Sequence, residues 1–123
     1  MKKVLVTGAT GFLGKYVVEE LVEHGYQVRA FGRNSKVGRS LENTSVSFFQ
    51  GDLTKADDVL EACKGMDLVV HAGALSTVWG PWEDFYQATV LGTKYVFEAC
   101  RQKGTHRLVY VSSQSIFACF LYP

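Results

Sequence analysis

The sequence lacks an excess of either charge, a cysteine framework and a long apolar segment. Its 13 basic and 12 acidic residues leave a formal net charge of +1, so no global field attracts nucleic acid or an anionic membrane. The three cysteines are an odd number without framework or metal-ligand spacing, which favours reduced thiols in a cytoplasmic protein. No apolar run is long enough to span a bilayer. We therefore expect no nucleic-acid, membrane or metal partner.

The remaining composition is that of one globular domain, residues 1–123, with 47% hydrophobic residues and enough chain for a single core. Strand patterns alternate with helical patterns along the whole chain. The strands are predicted at residues 4–6, 28–31, 46–49, 67–71 and 107–111. Such alternation requires right-handed crossovers, so we predict an α/β fold with a Rossmann-type doubly wound parallel sheet in strand order 3-2-1-4-5.

Several helix boundaries have specific signals. Gly25 suits a left-handed cap after the first helix, and residues 32–44 indicate a loop or an irregular helix. The sequence Thr54-Lys55-Ala56-Asp57 has the form of a capping box. Pro81 fits the first turn of a long helix that runs to about Lys103, because proline has no amide hydrogen to lose there.

A glycine-rich turn follows the first strand. Three glycines at spacing G-x-x-G-x-x-G allow a sharp turn, close approach of backbone to a pyrophosphate, and tight packing of the next helix on its strand. The phosphate is expected at the helix N-terminus. The preceding strand and the following amphipathic helix favour a dinucleotide site over an ordinary glycine turn. The predicted cofactor contacts in this turn are Gly8, Thr10, Gly11, Phe12, Leu13 and Gly14.

Arg33 follows the second strand, at the place where an acidic residue would hold the ribose 2′-hydroxyl of NAD. An arginine there accommodates the 2′-phosphate of NADP, and Lys36 and Arg39 add positive potential. We therefore prefer NADP to NAD as the cofactor. The alternatives are a solvated basic loop and an arginine that stacks on adenine.

The ends of the third and fourth strands supply the other predicted cofactor contacts. Asp52 is placed to accept from the adenine amino group with Leu53 against the ring, although a helix-preceding acid favoured by the helix dipole explains Asp52 equally well. Ala72 and Gly73 have no bulky side chain, which lets a cofactor lie flat across the sheet edge. We include His71 in this segment, as a structural histidine and not as a catalyst.

Five segments together resemble the extended short-chain dehydrogenase/reductase family, and they are residues 7–14, 51–54, 71–74, 90–93 and 109–113. That family includes sugar-nucleotide epimerases and dehydratases, dihydroflavonol reductases and 3β-hydroxysteroid dehydrogenases. Residues 79–86 and 112–117 slightly favour the sterol and hydroxysteroid dehydrogenase-like branch. The resemblance implies an NAD(P)-binding Rossmann domain, and hydride transfer between nicotinamide and a secondary alcohol or ketone of a small-molecule substrate.

The resemblance assigns Ser113 a hydrogen bond to the substrate oxygen. The family's Tyr-x-x-x-Lys pair does not occur in this sequence, in which Tyr122 is the only tyrosine after Ser113. A tyrosine without a cationic neighbour titrates at about pH 10. It is therefore a poor base at neutral pH and needs the lysine. We expect the chain to be an incomplete, N-terminal part of such an enzyme, inactive by itself. A non-catalytic dinucleotide-binding or redox-sensing module is the alternative.

Two further apolar features bear on partners. Trp79 and Trp82 either line an apolar substrate pocket or pack at the entry of the following helix, and both interpretations stay open. The fifth strand becomes a sheet edge, and residues 116–123 are almost wholly apolar. We therefore expect a homo-oligomer that forms through this edge or through this tail.

Overall fold

The computed structural model of the chain describes residues 2–74 and 79–112. Ser113 and the apolar tail therefore lie outside the described residues. The strands are β1 (Lys3–Thr7), β2 (Gln27–Gly32), β3 (Val46–Gln50), β4 (Leu68–His71) and β5 (Arg107–Tyr110). The helices are α1 (Phe12–Glu23), α2 (Ser35–Ser40), α3 (Ala56–Cys63), α4 (Trp82–Phe85), a π-helix (Tyr86–Leu91) and α5 (Gly92–Lys103).

The five strands form one parallel sheet in the order β3-β2-β1-β4-β5, which confirms the predicted order. β1 is central, and its Val4 pairs with Val28 of β2 on one side and with Leu68 of β4 on the other. The connections leave β1 in opposite directions, so the sheet has its topological switch point between β1 and β4. In open α/β sheets this is where a crevice forms beyond the carboxyl ends of the strands.

The sheet separates two apolar cores. One face packs against α1, where Val4, Val6, Val18 and Val28 are buried. The other face packs against α3 and α5, and Leu5, Val69, Val96 and Cys63 belong to it. Because β1 is buried on both faces, its near-continuous apolar run is explained without an alternating pattern.

The boundaries of the helices agree only in part with their sequence signals. Gly25 and Gly104 have positive φ angles of 85° and 68°, as left-handed positions after helices require. The capping box at residues 54–57 was wrong, because α3 begins at Ala56 and its N-cap Lys55 makes no side-chain cap bond. The Thr54 hydroxyl donates instead to Asp52 Oδ1 at 2.8 Å, so Thr54 belongs to the turn before the helix.

The long helix after β4 is not uniformly α-helical. Pro81 is the N-cap and not the first helical residue, and the segment 82–103 is divided into α4, the π-helix and α5. A six-residue π-helix is a rare element that occurs mostly at functional sites. The 3.6-residue period of the sequence carries no sign of it.

Two structural observations concern membranes and metal ions. Within residues 2–74 and 79–112, no helix has the length and apolarity to cross a membrane. The same residues contain no group of three or more His, Cys, Asp or Glu arranged to hold a metal ion. Cys63 and Cys100 are buried free thiols, and Cys119 lies outside the described part.

Candidate functional site

The glycine turn after β1 is shaped by contacts that exclude side chains. Gly8 has a φ of 68°, and a Cβ atom on it would lie 2.7 Å from the Gly73 Cα and 2.9 Å from the Ala72 carbonyl carbon. A Cβ on Gly14 would overlap the Gly8 carbonyl oxygen and lie 2.6 Å from the Gly8 carbonyl carbon. The turn therefore brings β1, the start of α1 and the end of β4 within backbone contact.

The N-terminus of α1 is open toward this turn. Gly11 is its N-cap, no side chain caps it, and its first turn contains no acidic residue. The free N–H groups and the positive end of the helix dipole favour an anion such as a phosphate at this position. The Gly11 N–H itself donates to the Gly8 carbonyl at 3.0 Å, which closes the turn in front of the helix.

A cavity of about 760 Å³ lies beyond the carboxyl ends of the strands, at the switch point. Its volume falls in the range of about 300–1,000 Å³ that is typical of cofactor sites. Its walls combine the glycine turn, the ends of three strands and the helical segment after β4. The lining residues are Gly8, Thr10, Gly11, Phe12, Leu13, Gly14, Phe31, Gly32, Arg33, Gly51, Asp52, Leu53, Thr54, Ala72, Gly73, Ala74, Asp84, Gln87 and Ala88.

Arg33 stands at the cavity edge directly after β2. Its backbone is tied to β3, because the Gln50 side-chain amide donates to the Arg33 carbonyl at 3.3 Å. No carboxylate among the described residues forms an ion pair with its guanidinium. By contrast, Arg39 pairs with Glu42 at 3.2 Å. Arg33 is therefore a cation at the cavity edge that has no paired acid among the described residues.

The Asp52 carboxylate closes a turn at the end of β3. Its Oδ1 accepts from the Thr54 backbone N–H at 2.9 Å and from the Thr54 hydroxyl at 2.8 Å. Partial burial, the largest single influence, raises the pKa of this carboxyl. The hydrogen bonds from Thr54 and the charges of Arg33 and Lys55 together outweigh burial, so the pKa lies below its ordinary value and Asp52 is ionised at neutral pH.

Leu53 is held between two glycines. A Cβ on Gly73 would lie 2.6 Å from Leu53 Cδ1, and a Cβ on Gly92 would lie 3.1 Å from Leu53 Cβ. The two missing side chains let the helical segment after β4 approach the end of β3 closely. Leu53 thereby forms a fixed apolar surface in the cavity wall.

His71 has a different place from the one predicted for it. Its side chain is only 2% exposed, and the cavity wall at this strand begins with Ala72. The Gly73 N–H donates to Thr7 Oγ1 at 3.0 Å, and Thr7 Oγ1 lies 2.6 Å from His71 Nδ1. His71 Nε2 lies 2.9 Å from Thr93 Oγ1.

This chain of hydrogen bonds satisfies every group when the Thr7 hydroxyl donates to Nδ1 and the imidazole proton is on Nε2. Burial lowers the pKa of His71 from 6.5 to about 4, so the ring is neutral at neutral pH. His71 connects β1, β4 and α5 and holds the Gly73 backbone beside the glycine turn. It is a structural histidine, as the sequence indicated, but it is not in the cavity wall.

The remaining predicted residues are Trp79, Trp82 and Ser113. Trp79 and Trp82 are 89% and 72% exposed, and neither lines the cavity. The Trp82 ring contacts the Tyr86 ring at a centroid distance of 6.2 Å, which favours packing at the helix entry over a substrate pocket. Ser113 lies outside the described residues.

Sequence reasoning missed Asp84, Gln87 and Ala88, which bring the helical segment after β4 into the cavity wall. Their spacing puts them on one side of a helix, and that polar side was the available signal. It also missed the link of Thr7 and Thr93 through His71. Residues so far apart in the chain carry no common sequence pattern.

Comparison with known proteins finds a matching family, similar sequences and similar solved structures. The sequence profile of the NAD dependent epimerase/dehydratase family matches residues 4–120. A 2-alkyl-3-oxoalkanoate reductase from Stenotrophomonas maltophilia is 44% identical over 114 residues, which are 93% of this chain and 34% of the relative. A decarboxylating sterol-4-alpha-carboxylate 3-dehydrogenase from Mus musculus is 38% identical over 115 residues, 94% of this chain and 31% of the relative.

Solved structures show the same architecture. MoeE5 in complex with UDP-glucose and NAD superposes with a TM-score of 0.81 at 35% identity, covering 94% of this chain and 38% of that one. A point mutant of uronate dehydrogenase from Agrobacterium tumefaciens, complexed with NAD, superposes with a TM-score of 0.79 at 32% identity. The coverage in this second pair is 92% of this chain and 41% of the other. The chain spans about a third of the length of the curated relatives it matches.

Proposed function

Because the chain belongs to the NAD-dependent epimerase/dehydratase family, we propose that it binds a nicotinamide dinucleotide in the cavity beyond the carboxyl ends of its strands. The observation that carries this proposal is the backbone contact between Gly8, Gly14 and Gly73. It leaves a surface without side chains in front of the open N-terminus of α1. The pyrophosphate would be held by the N–H groups of that helix.

Other cavity residues are placed to contact the base and the ribose of an adenosine. Leu53 offers an apolar surface for the base, and Asp52 Oδ2 has no donor among the described residues, so it is available to an amino group. Arg33 stands at the end of β2, where the adenosine ribose is expected in a fold of this kind. When bound, the nicotinamide supplies a hydride acceptor or donor, and the residues of this chain orient it and exclude water.

We propose NADP as the preferred cofactor, because the guanidinium of Arg33 has no paired acid within residues 2–74 and 79–112 and matches a phosphate monoester. Two of the similar structures hold NAD, so the preference needs a direct test. Titration of the chain with NADPH and NADH should give a dissociation constant about tenfold or more lower for NADPH, the strength expected of a charge-assisted pair.

The Arg33→Ala variant should bind NADPH and NADH equally. Arg39→Ala is the matched control, since Arg39 is already paired with Glu42, and it should keep the preference of the unmutated chain. Equal affinities of the unmutated chain for the two cofactors would contradict the NADP preference and leave NAD as the cofactor.

For the whole protein, we propose hydride transfer between nicotinamide and a secondary alcohol or ketone of a small molecule. The relatives named for ketone reduction and for alcohol dehydrogenation support this reaction class. We keep the expectation that Ser113 hydrogen-bonds the substrate oxygen. A Ser113→Ala substitution in the coding sequence extended downstream should lower kcat without changing cofactor affinity, and an unchanged kcat would remove this role.

A non-catalytic dinucleotide-binding module is the second candidate. The cavity supports it as well as it supports the enzyme, because both would bind the dinucleotide there. The coding sequence downstream of Pro123 distinguishes the two. Continuation into a Tyr-x-x-x-Lys pair supports the enzyme, whereas its absence together with tight cofactor binding supports the module.

We also propose a cytoplasmic location and self-association. The buried free thiols Cys63 and Cys100 suit a reducing compartment. The side chains of Val109, Tyr110 and Val111 are exposed at the edge of the sheet, and an apolar edge strand is a template for pairing with a second chain.

A further inference from the structure

Gln87 lines the cavity but belongs neither to the glycine turn nor to a strand end. It lies in the π-helix together with Ala88, and both line the same cavity as Asp52 and Leu53. Its side chain is half-buried. A polar amide in a cofactor cavity makes specific hydrogen bonds to a ligand when its orientation is held.

The orientation of the Gln87 amide is determined by Glu83. Gln87 Nε2 donates to Glu83 Oε1 at 2.8 Å. A carboxylate accepts but does not donate, so the amide nitrogen is the atom that must face Glu83. The second N–H and the carbonyl oxygen Oε1 therefore remain for a ligand, because no described residue donates to Oε1.

The π-helix determines which side of the helix Gln87 occupies. Backbone N–H groups at its end, around Gly92, donate to the carbonyls of Gln87 and Thr89. In an α-helix, Gln87 and Gly92 would lie about 140° apart around the axis. A π turn, closed by hydrogen bonds over five residues, brings them to the same side. Gly92 abuts Leu53, and Gln87 and Leu53 line the same cavity.

We propose that Gln87 recognises the adenine base of the dinucleotide, an inference that rests on the cofactor binding proposed above. Oε1 accepts from the 6-amino group, and the second N–H donates to N7 of the ring. This is the bidentate pairing that glutamine makes with adenine in other complexes. The 6-amino group has a second hydrogen, which Asp52 accepts. Glu83 is a positioning residue that holds the amide.

The inference is tested with a cofactor that lacks the amino group. In the hypoxanthine analogue of NADPH, a carbonyl replaces the 6-amino group while N7 remains an acceptor, so the hydrogen bond from the amino group to Gln87 is lost and two acceptor oxygens face each other. The unmutated chain should bind NADPH roughly tenfold more tightly than the analogue. Gln87→Met, which keeps the length of the side chain, should lower this ratio by at least about threefold.

Gln102→Met is the matched control. Gln102 donates to Glu98 at 3.1 Å over the same four-residue spacing, but it lies at the far end of α5, outside the cavity wall. This variant should keep the full preference. Gln87→Ala is a second variant, and thermal melting of each protein shows whether it is folded.

The possible results separate the two proposals. If Gln87→Met and Gln87→Ala keep the ratio of the unmutated chain, Gln87 does not recognise the base, and cofactor binding itself stands. If the unmutated chain binds neither nucleotide at millimolar concentration, the proposed function fails and the recognition by Gln87 fails with it. A ratio that falls in the Gln102 variant also contradicts the inference.

Discussion

At the scale of single residues, the glycines of the turn after β1 act through contacts that no larger residue permits. Gly14 is buried at the start of α1, and any Cβ there collides with the Gly8 carbonyl. The added Cβ would meet backbone atoms, so no side-chain rotation relieves the overlap. The collision makes Gly14 a structural requirement of the site and not only a flexible position.

We predict that Gly14→Ala lowers the free energy of unfolding by about 3 kcal/mol, the upper end of ordinary overpacking, and abolishes cofactor binding. Urea denaturation and nucleotide titration measure the two effects. The control is Gly25→Ala, because a Cβ on Gly25 meets nothing within 4 Å and costs only the left-handed conformation, about 1 kcal/mol. A Gly14 variant as stable as the Gly25 variant would show that the turn opens without cost.

The buried imidazole of His71 predicts a pH dependence of stability. Burial lowers its pKa from 6.5 to about 4, so the unfolded chain takes up the proton at a higher pH than the folded chain. The stabilising difference is fully present above pH 6.5 and is lost as the pH falls toward 4. The loss reaches about 3 kcal/mol.

The His71→Asn variant should therefore lose less stability between pH 7 and pH 4 than the unmutated chain, as measured by urea denaturation at each pH. Asparagine retains an acceptor near the position of Nδ1 but does not titrate. His24→Gln is the control, because His24 is exposed after α1. If the slopes of the unmutated chain and of His71→Asn coincide, His71 does not titrate as its burial requires.

At the scale of secondary-structure elements, Arg29 joins β2 to the end of α3. Its guanidinium Nη1 donates to the Ala62 carbonyl at 2.8 Å and to the Lys64 carbonyl at 3.1 Å. The last carbonyls of a helix have no partner within the helix, and a cation there also faces the negative end of the dipole. Arg29 thus adds a side-chain cap to the end of α3, where Gly65 also has a positive φ of 77°.

We predict that Arg29→Met lowers the free energy of unfolding by about 2 kcal/mol, as for hydrogen bonds from a charged donor. Hydrogen exchange of the α3 amides should accelerate with it. The comparison is Arg101→Met, which removes an exposed pair with Glu98 and should cost less than about 1 kcal/mol. Equal costs for the two substitutions would mean that Arg29 contributes only surface charge.

The helix boundaries also show which sequence signals predict the structure and which do not. The left-handed cap at Gly25 was correct because a positive φ is a local requirement. The capping box at Thr54 was wrong because the Thr54 N–H, which such a box assigns to the Asp57 carboxylate, donates to Asp52 Oδ1 at 2.9 Å. Asp58, in the first turn of α3, accepts instead from the Asp52 N–H at 3.0 Å. A local motif cannot show which of two carboxylates will accept from a backbone N–H.

At the scale of the whole molecule, the sheet formed by the described residues has a buried central strand, β1, and two edge strands, β3 and β5. β1 is buried on both faces, whereas Val109 and Val111 at β5 are 48% and 38% exposed. We predict that the chain self-associates through this edge at micromolar concentration. Sedimentation velocity should show a sedimentation coefficient that rises with concentration.

The double variant Val109→Lys/Val111→Lys should sediment as a monomer, because lysine on an edge strand opposes pairing with another strand. Val90→Lys adds the same charge at an exposed apolar position on the π-helix and should keep the association. A concentration-independent monomer of the unmutated chain would contradict self-association through any surface.

The strand order and the position of the glycine turn follow from the sequence. Both depend on short-range signals, namely the alternation of strands and helices and the need for glycine at closely spaced positions. The burial of His71 between Thr7 and Thr93 and the position of Gln87 in the same cavity wall as Leu53 depend on the packing of the folded chain. These contacts join residues far apart in the chain, and the packing of helices on the sheet brings them together.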